Sequence, residues 1–217
     1  MANQKFYHYL YLLRRGTEEE SKGALFSLKE LEGNNEVSEE EILKVFDEAE
    51  DAVTLDYSIG AIERMKIKKG YPLLNQIYLE SNNPLILQSL LETFLKLNKD
   101  DFLNAVLKRL EKPMSNVKKK KNTGSIMETL FDEEFILDQI LITSLKYIQI
   151  HGNPKLKKLI LPYLNHPDKK VRWNALVTLD NIGVKLDNKT LMKIKHENKD
   201  VLIREQVNII LDKNAAL

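Results

Sequence analysis

The stretch Asp168-Lys-Lys-Val171-Arg172-Trp-Asn-Ala175-Leu-Val-Thr-Leu179 returns 32 residues later as Asp200-Val-Leu-Ile203-Arg204-Glu-Gln-Val207-Asn-Ile-Ile-Leu211. An acidic cap, an apolar slot, an arginine and two further apolar slots keep step at every position. The apolar slots fall three or four residues apart, which is the period of one helical face. An Asp just ahead of such a face is a helix start, because its carboxylate accepts orphan backbone N–H groups of the first turn. A third copy, Asn83-Pro-Leu-Ile86-Leu87-Gln-Ser-Leu90-Leu-Glu-Thr-Phe94, keeps the cap and the apolar slots and lacks the arginine.

Outward from these copies the period stays helical. Thr17-Glu-Glu-Glu20 and Ser38-Glu-Glu-Glu41 are capping boxes, each followed by an apolar stripe. Asn83-Pro84 places proline at the first helical position, where its missing N–H costs nothing. Gly33, Gly70, Gly152 and Gly183 follow apolar stretches, as helix C-caps do. The spacing predicts helices over 4–15, 17–32, 38–50, 52–69, 72–81, 84–97, 100–111, 133–151, 154–165, 168–182, 187–196 and 200–213, with no strand. Twelve helices make six consecutive pairs of about 36 residues, a period belonging to stacked arrays. A single pair cannot bury its own apolar faces, whereas pairs stacked on one another can. The expected fold is therefore all-α, an αα superhelix of about six antiparallel pairs forming one domain over 1–217.

Residues 153–183 resemble a HEAT repeat. The resemblance rests on Pro162 inside the first helix, Asp168 at the turn, the Val171-Arg172 pair, Ala175 and the closing Ile182-Gly183. It extends less fully over 184–213 and weakly over 71–98; before residue 70 only the helix-pair rhythm carries it. The resemblance implies a solenoid in which Asp168, Arg172, Asp200 and Arg204 serve the stacking, linking each turn to the neighbouring repeat. It also implies that the second helix of each pair faces the concave side. Trp173, the only tryptophan, stands there with Lys169, Lys170 and Asn174 as a candidate contact spot.

Residues 112–131 break the rhythm. They lie where a short intra-pair turn belongs and exceed it by about fifteen residues. They contain Pro113, Gly124 and the run Lys118, Lys119, Lys120 and Lys121, and form a basic loop insertion that is a second candidate for partner contact.

The chain holds 33 Lys/Arg against 32 Asp/Glu, a net charge of +1, and no cysteine. Cysteine chemistry of every kind, from disulfides to thiolate metal sites, is excluded. Charge is uneven: residues 1–60 hold 6 Lys/Arg against 14 Asp/Glu, and residues 61–121 hold 13 against 6. The carboxylates Asp47, Glu48, Glu50, Asp51 and Asp56 read as a solvated acidic face. The four histidines, His8, His151, His166 and His196, have no ligand spacing on a helix. No phosphate-binding glycine motif and no nucleophile elbow occurs. The aromatic first helix, with Phe6, Tyr7, Tyr9 and Tyr11, reads as part of the mature protein capping one end of the stack rather than as a signal peptide.

The expected function is a non-catalytic protein-binding scaffold, either an adaptor or an inhibitor such as an immunity protein. It needs no cofactor or metal and is expected to be cytoplasmic, without a membrane span, as a monomer or weak oligomer. Two alternatives are a HEAT-like enzyme such as an alkylpurine DNA glycosylase, and nucleic-acid binding through the lysine loop. The first lacks the site residues and basic surface of that family; the second runs against the near-zero net charge.

Overall fold

The computed structural model describes residues 4–33, 39–49, 51–111 and 133–216, and every regular element among them is helical. The second capping box begins at Ser38 and the basic insertion covers 112–131, so both lie outside the described residues. The chain divides into two compact units, Met1–Ala105 and Val106–Leu217.

The first unit contains α1 (Gln4–Arg15), α2 (Glu18–Gly33), α3 (Glu39–Asp47), α4 (Ala52–Met65), α5 (Tyr71–Glu80) and α6 (Pro84–Leu97). The capping box at its second helix is closed: the Thr17 N–H reaches Glu20 Oε2 at 2.7 Å, and the Glu20 N–H reaches Thr17 Oγ1 at 3.3 Å. Asp51 caps α4 by accepting the Val53 and Thr54 N–H groups, and Asn83 caps α6 from Leu85 and Ile86. These caps are 32 residues apart, the same step as Asp168 to Asp200. α4 packs against α3, α6 and α1, so α4 and α6, the second helices of two consecutive pairs, lie side by side. Leu10, Leu13, Leu28, Ile42, Ile59, Leu74, Leu90 and Phe94 fill the core between them.

Helix α4 is shorter than the expected 52–69. It stops at Met65 because Lys66 turns left-handed, at φ 56°. The Ile67 N–H then returns to the Ile62 carbonyl at 3.1 Å and the Ile67 side chain is fully buried. Burying Ile67 outweighs the left-handed backbone, which costs about 1–2 kcal/mol at a residue with a Cβ. Gly70 is not a C-cap either. Its backbone is right-handed helical, and its missing Cβ leaves room for Ile62 and Leu43, which that atom would approach to 3.0–3.1 Å.

Helix α7 (Leu103–Glu111) runs across the division between the units. The second unit continues with α8 (Glu133–His151), α9 (Lys157–Ile160), α10 (Lys169–Asn181), α11 (Asn188–Glu197) and α12 (Val201–Ala215). The helix expected over 154–165 is broken into a 3-10 turn, the short α9 and a second 3-10 stretch, Leu161–Asn165. Pro162 accounts for the break, since it removes an N–H and its ring collides with the carbonyl four residues back. α10 packs against α8, the Leu161–Asn165 stretch and α12, and α11 packs against α12. Again the second helices of consecutive pairs, α8, α10 and α12, are neighbours. α10 is capped at Ile182 and followed by Gly183, whose φ of +77° is the left-handed conformation that glycine tolerates.

Candidate functional site

The two strongest repeat copies adopt the same local geometry. Asp168 caps α10 at φ −72°, ψ 128°, accepting the Lys170 and Val171 N–H groups; Asp200 caps α12 at φ −71°, ψ 129°, accepting from Leu202. Burial opposes the charge on Asp200, but the Lys169 ammonium and the Leu202 N–H hold its carboxyl below the ordinary value overall. Lys169 Nζ lies 3.3 Å from Asp200 Oδ2, so one copy's first helical residue touches the next copy's cap.

Arg172 ties this arrangement together. Its NH1 donates to the His166 and Pro167 carbonyls, each at 2.7 Å, and its Nε donates to Asn198 Oδ1 at 2.9 Å. It therefore holds its own turn and the following one. Further along the same two helices, Gln206 and Lys213 both donate to Asp180 Oδ2, at 3.3 and 2.6 Å. Arg204, the counterpart of Arg172, is exposed and makes no side-chain hydrogen bond or ion pair among the described residues.

Of the candidate contact spot, Lys169 and Lys170 are exposed and Trp173 is half-buried. Asn174 is not on the surface. It is 4% exposed, and its amide donates to the Lys170 carbonyl at 2.8 Å. It lies on the inner side of α10 with Val171, Ala175 and Thr178, one turn before Thr178, which reaches the Leu145 carbonyl of α8. The surface spot thus reduces to Lys169, Lys170 and Trp173. Lys118 to Lys121 lie outside the described residues.

The first unit contains an ionic network that the sequence reading missed. Arg14 of α1 is buried against α4. Its Nε donates to Asp56 Oδ1 at 2.9 Å, its NH2 donates to Ser89 Oγ at 2.5 Å, and its NH1 lies 3.6 Å from Glu63 Oε2. Ser89 donates onward to Asp56 Oδ1 at 2.6 Å, and exposed Arg15 donates to Asp56 Oδ2 at 2.8 Å. Thr93 and Lys96 of α6 donate to Glu63, at 3.2 and 3.4 Å. The network joins α1, α4 and α6. Asp56 is therefore not part of a solvated acidic face: it and Glu63 are nearly buried and share the inner side of α4 with Ile59. Asp47, Glu48 and Asp51 are exposed, and Glu50 lies outside the described residues.

Gly60 makes the network possible. A Cβ there would come within 2.9 Å of Arg14 Cδ and 3.1 Å of its Cβ, so α1 and α4 approach this closely only over a glycine. A sequence signal existed: Asp56 and Glu63 are spaced three before and four after Ile59, on an apolar stripe, while Arg14 follows Leu10 and Leu13 on another. Charges on two apolar stripes are a pairing signal, because a buried charge must find a partner.

Among the described residues, no group of three or more His, Asp or Glu side chains is arranged to hold a metal ion. His8 and His196 are exposed. The His151 ring lies 4.6 Å from that of Tyr147. His166 Nδ1 accepts the Asp168 N–H at 3.2 Å, which leaves Nε2 turned toward Asp138 at 3.7 Å. No helix among the described residues is long and apolar enough to cross a membrane. No family model, no curated protein and no solved structure matches the chain.

Proposed function

We propose that this chain is a HEAT-like helical-repeat scaffold that acts by binding a protein partner, without chemistry of its own. The observation that carries the reading is the repeated cap-and-tie unit. Asp168 and Asp200 cap their helices with matching dihedrals, and Arg172 joins its own turn to the next. Repeats held in register this way present successive second helices on a common face, which suits recognition of an extended surface. On that face Lys169, Lys170 and Trp173 form the proposed contact, a half-buried aromatic beside two exposed cations. Such a pairing suits a partner that offers an apolar side chain near carboxylates. The basic insertion at 112–131 is a second proposed contact.

The test is affinity capture with the full chain from its native lysate, at low and high salt, with and without nuclease. The expected result is one protein retained near stoichiometry under all conditions. Loss of everything bound after nuclease, or release of nucleic acid as salt rises, contradicts the scaffold reading. That result favours phosphate-backbone binding through Lys118 to Lys121, whose affinity must fall steeply with salt.

A further inference from the structure

We infer that the outer face of α12 is a self-complementary stacking face that takes a second copy of this chain. The inference rests on the 32-residue register and is independent of which partner the Lys169–Trp173 spot binds. In α10, the residues turned toward the following pair are Lys169, Arg172 and Asp180, and all three are engaged by it through Asp200, Asn198, Gln206 and Lys213. Their counterparts 32 residues on are Val201, Arg204 and Asp212. Leu176, fully buried on α10, corresponds to Asn208, and half-buried Val177 corresponds to Ile209.

On α12 every one of these positions is exposed, including Val201 at 63% and Ile209 at 48%, with Leu202 beside them at 59%. Arg204 and Asp212 make no side-chain hydrogen bond or ion pair among the described residues. This face keeps three large aliphatic side chains, Val201, Leu202 and Ile209, in water.

The charge pattern selects the occupant. Arg204 and Asp212 lie eight residues apart, about 12 Å along the helix axis, with Asn208 midway. Two α12 helices packed antiparallel about a two-fold axis at Asn208 therefore set Arg204 of each copy against Asp212 of the other. Ile209 of both copies falls beside the axis. A two-fold interface must be self-complementary in this sense, and the row Arg204, Asn208 and Asp212, with its cation and anion placed evenly about its centre, meets that condition, exposed Glu205 standing beside it.

The test is sedimentation velocity of the full chain from about 10 µM to about 1 mM, a range that covers weak association. The wild type should approach twice 25.2 kDa as concentration rises. Arg204→Asp and Asp212→Arg each set like charges together and should weaken association about tenfold or more. The double variant R204D/D212R restores the pairing in reverse and should recover most of the affinity. All these positions are exposed, and unchanged helical circular dichroism confirms that the variants fold. A wild type that stays monomeric throughout overturns the inference. So does a dimer indifferent to both single changes, or a double variant no better than either single one.

Discussion

Arg14 is surrounded by Asp56, Ser89 and Glu63, and this arrangement determines what single substitutions do in the first unit. Removing one member of a buried ionic set leaves the others short of partners. Arg14→Met leaves Asp56 to Arg15 and Ser89, and Glu63 to Lys96 and Thr93, and should cost about 1–3 kcal/mol, read as a lower urea midpoint. Gly60→Ala tests the same packing from the other side. In an open helix that change gains about 1 kcal/mol. Here the added Cβ runs into Arg14, and overpacking should destabilise by about 1–3 kcal/mol. A gain in stability on Gly60→Ala contradicts the close approach of α1 and α4. These residues were only half legible in the sequence. Periodicity shows that a charge lies on an apolar stripe, but which distant stripe supplies its partner is decided by packing, and Arg14 and Asp56 are 42 residues apart. Asn174 misled for a related reason: a polar residue next to Trp173 reads as surface, yet its helical angle turns it inward.

Helix ends in this chain are set by short-range chemistry, and there the sequence was a good guide. Thr17, Asn83, Asp168 and Asp200 are side-chain caps as their spacing predicts, and Asp51 and Asp187 are two further ones that it did not single out. Asn83→Ala should cost about 1 kcal/mol, measured by chemical denaturation. The acidic caps add a pH dependence. The Thr54 hydroxyl and N–H hold the Asp51 carboxyl below its ordinary 3.8, and the Thr190 N–H and hydroxyl do the same for Asp187. A carboxyl depressed in the folded state binds its proton more tightly once unfolded. Its contribution is therefore complete above the ordinary value and disappears as the pH falls through the folded one. Thermal midpoints should drop as the pH falls below about 5 and go on dropping below 3.8, and less steeply in Asp51→Asn, whose amide caps without titrating. An identical slope in the two proteins contradicts the assignment. The C-terminal ends were less legible. Lys66 and Asn98 take the left-handed conformation usually read from glycine. Lys66→Gly should accordingly stabilise the chain by about 1 kcal/mol in the same denaturation assay. Pro162 was seen, but the helix around it was expected to survive.

Across the whole molecule, the helical class and the alternation of paired helices follow from periodicity, because a 3.6-residue pattern with caps permits little else. The 32-residue step was visible where Asp and Arg recur together. It was missed between Asp51 and Asn83, where the cap residue changes identity and a buried serine, Ser58, replaces Leu90. Function was far less legible than fold. A binding face is defined by its partner, which charge and exposure do not identify; the face proposed above is the one around Lys169, Lys170 and Trp173. The proposed role makes Lys170 and Trp173 the free points of attachment, with Lys169, tied to the Asp200 cap, beside them. The most direct measurement is quantitative capture by the wild type and by a Lys170→Glu/Trp173→Ala variant of equal helical content, which keeps the Lys169–Asp200 tie, side by side at high salt. The account predicts one protein retained near stoichiometry by the wild type and lost from the variant by about tenfold or more, the scale of a centrally placed aromatic anchor. Equal retention by both chains, or retention by neither, contradicts it.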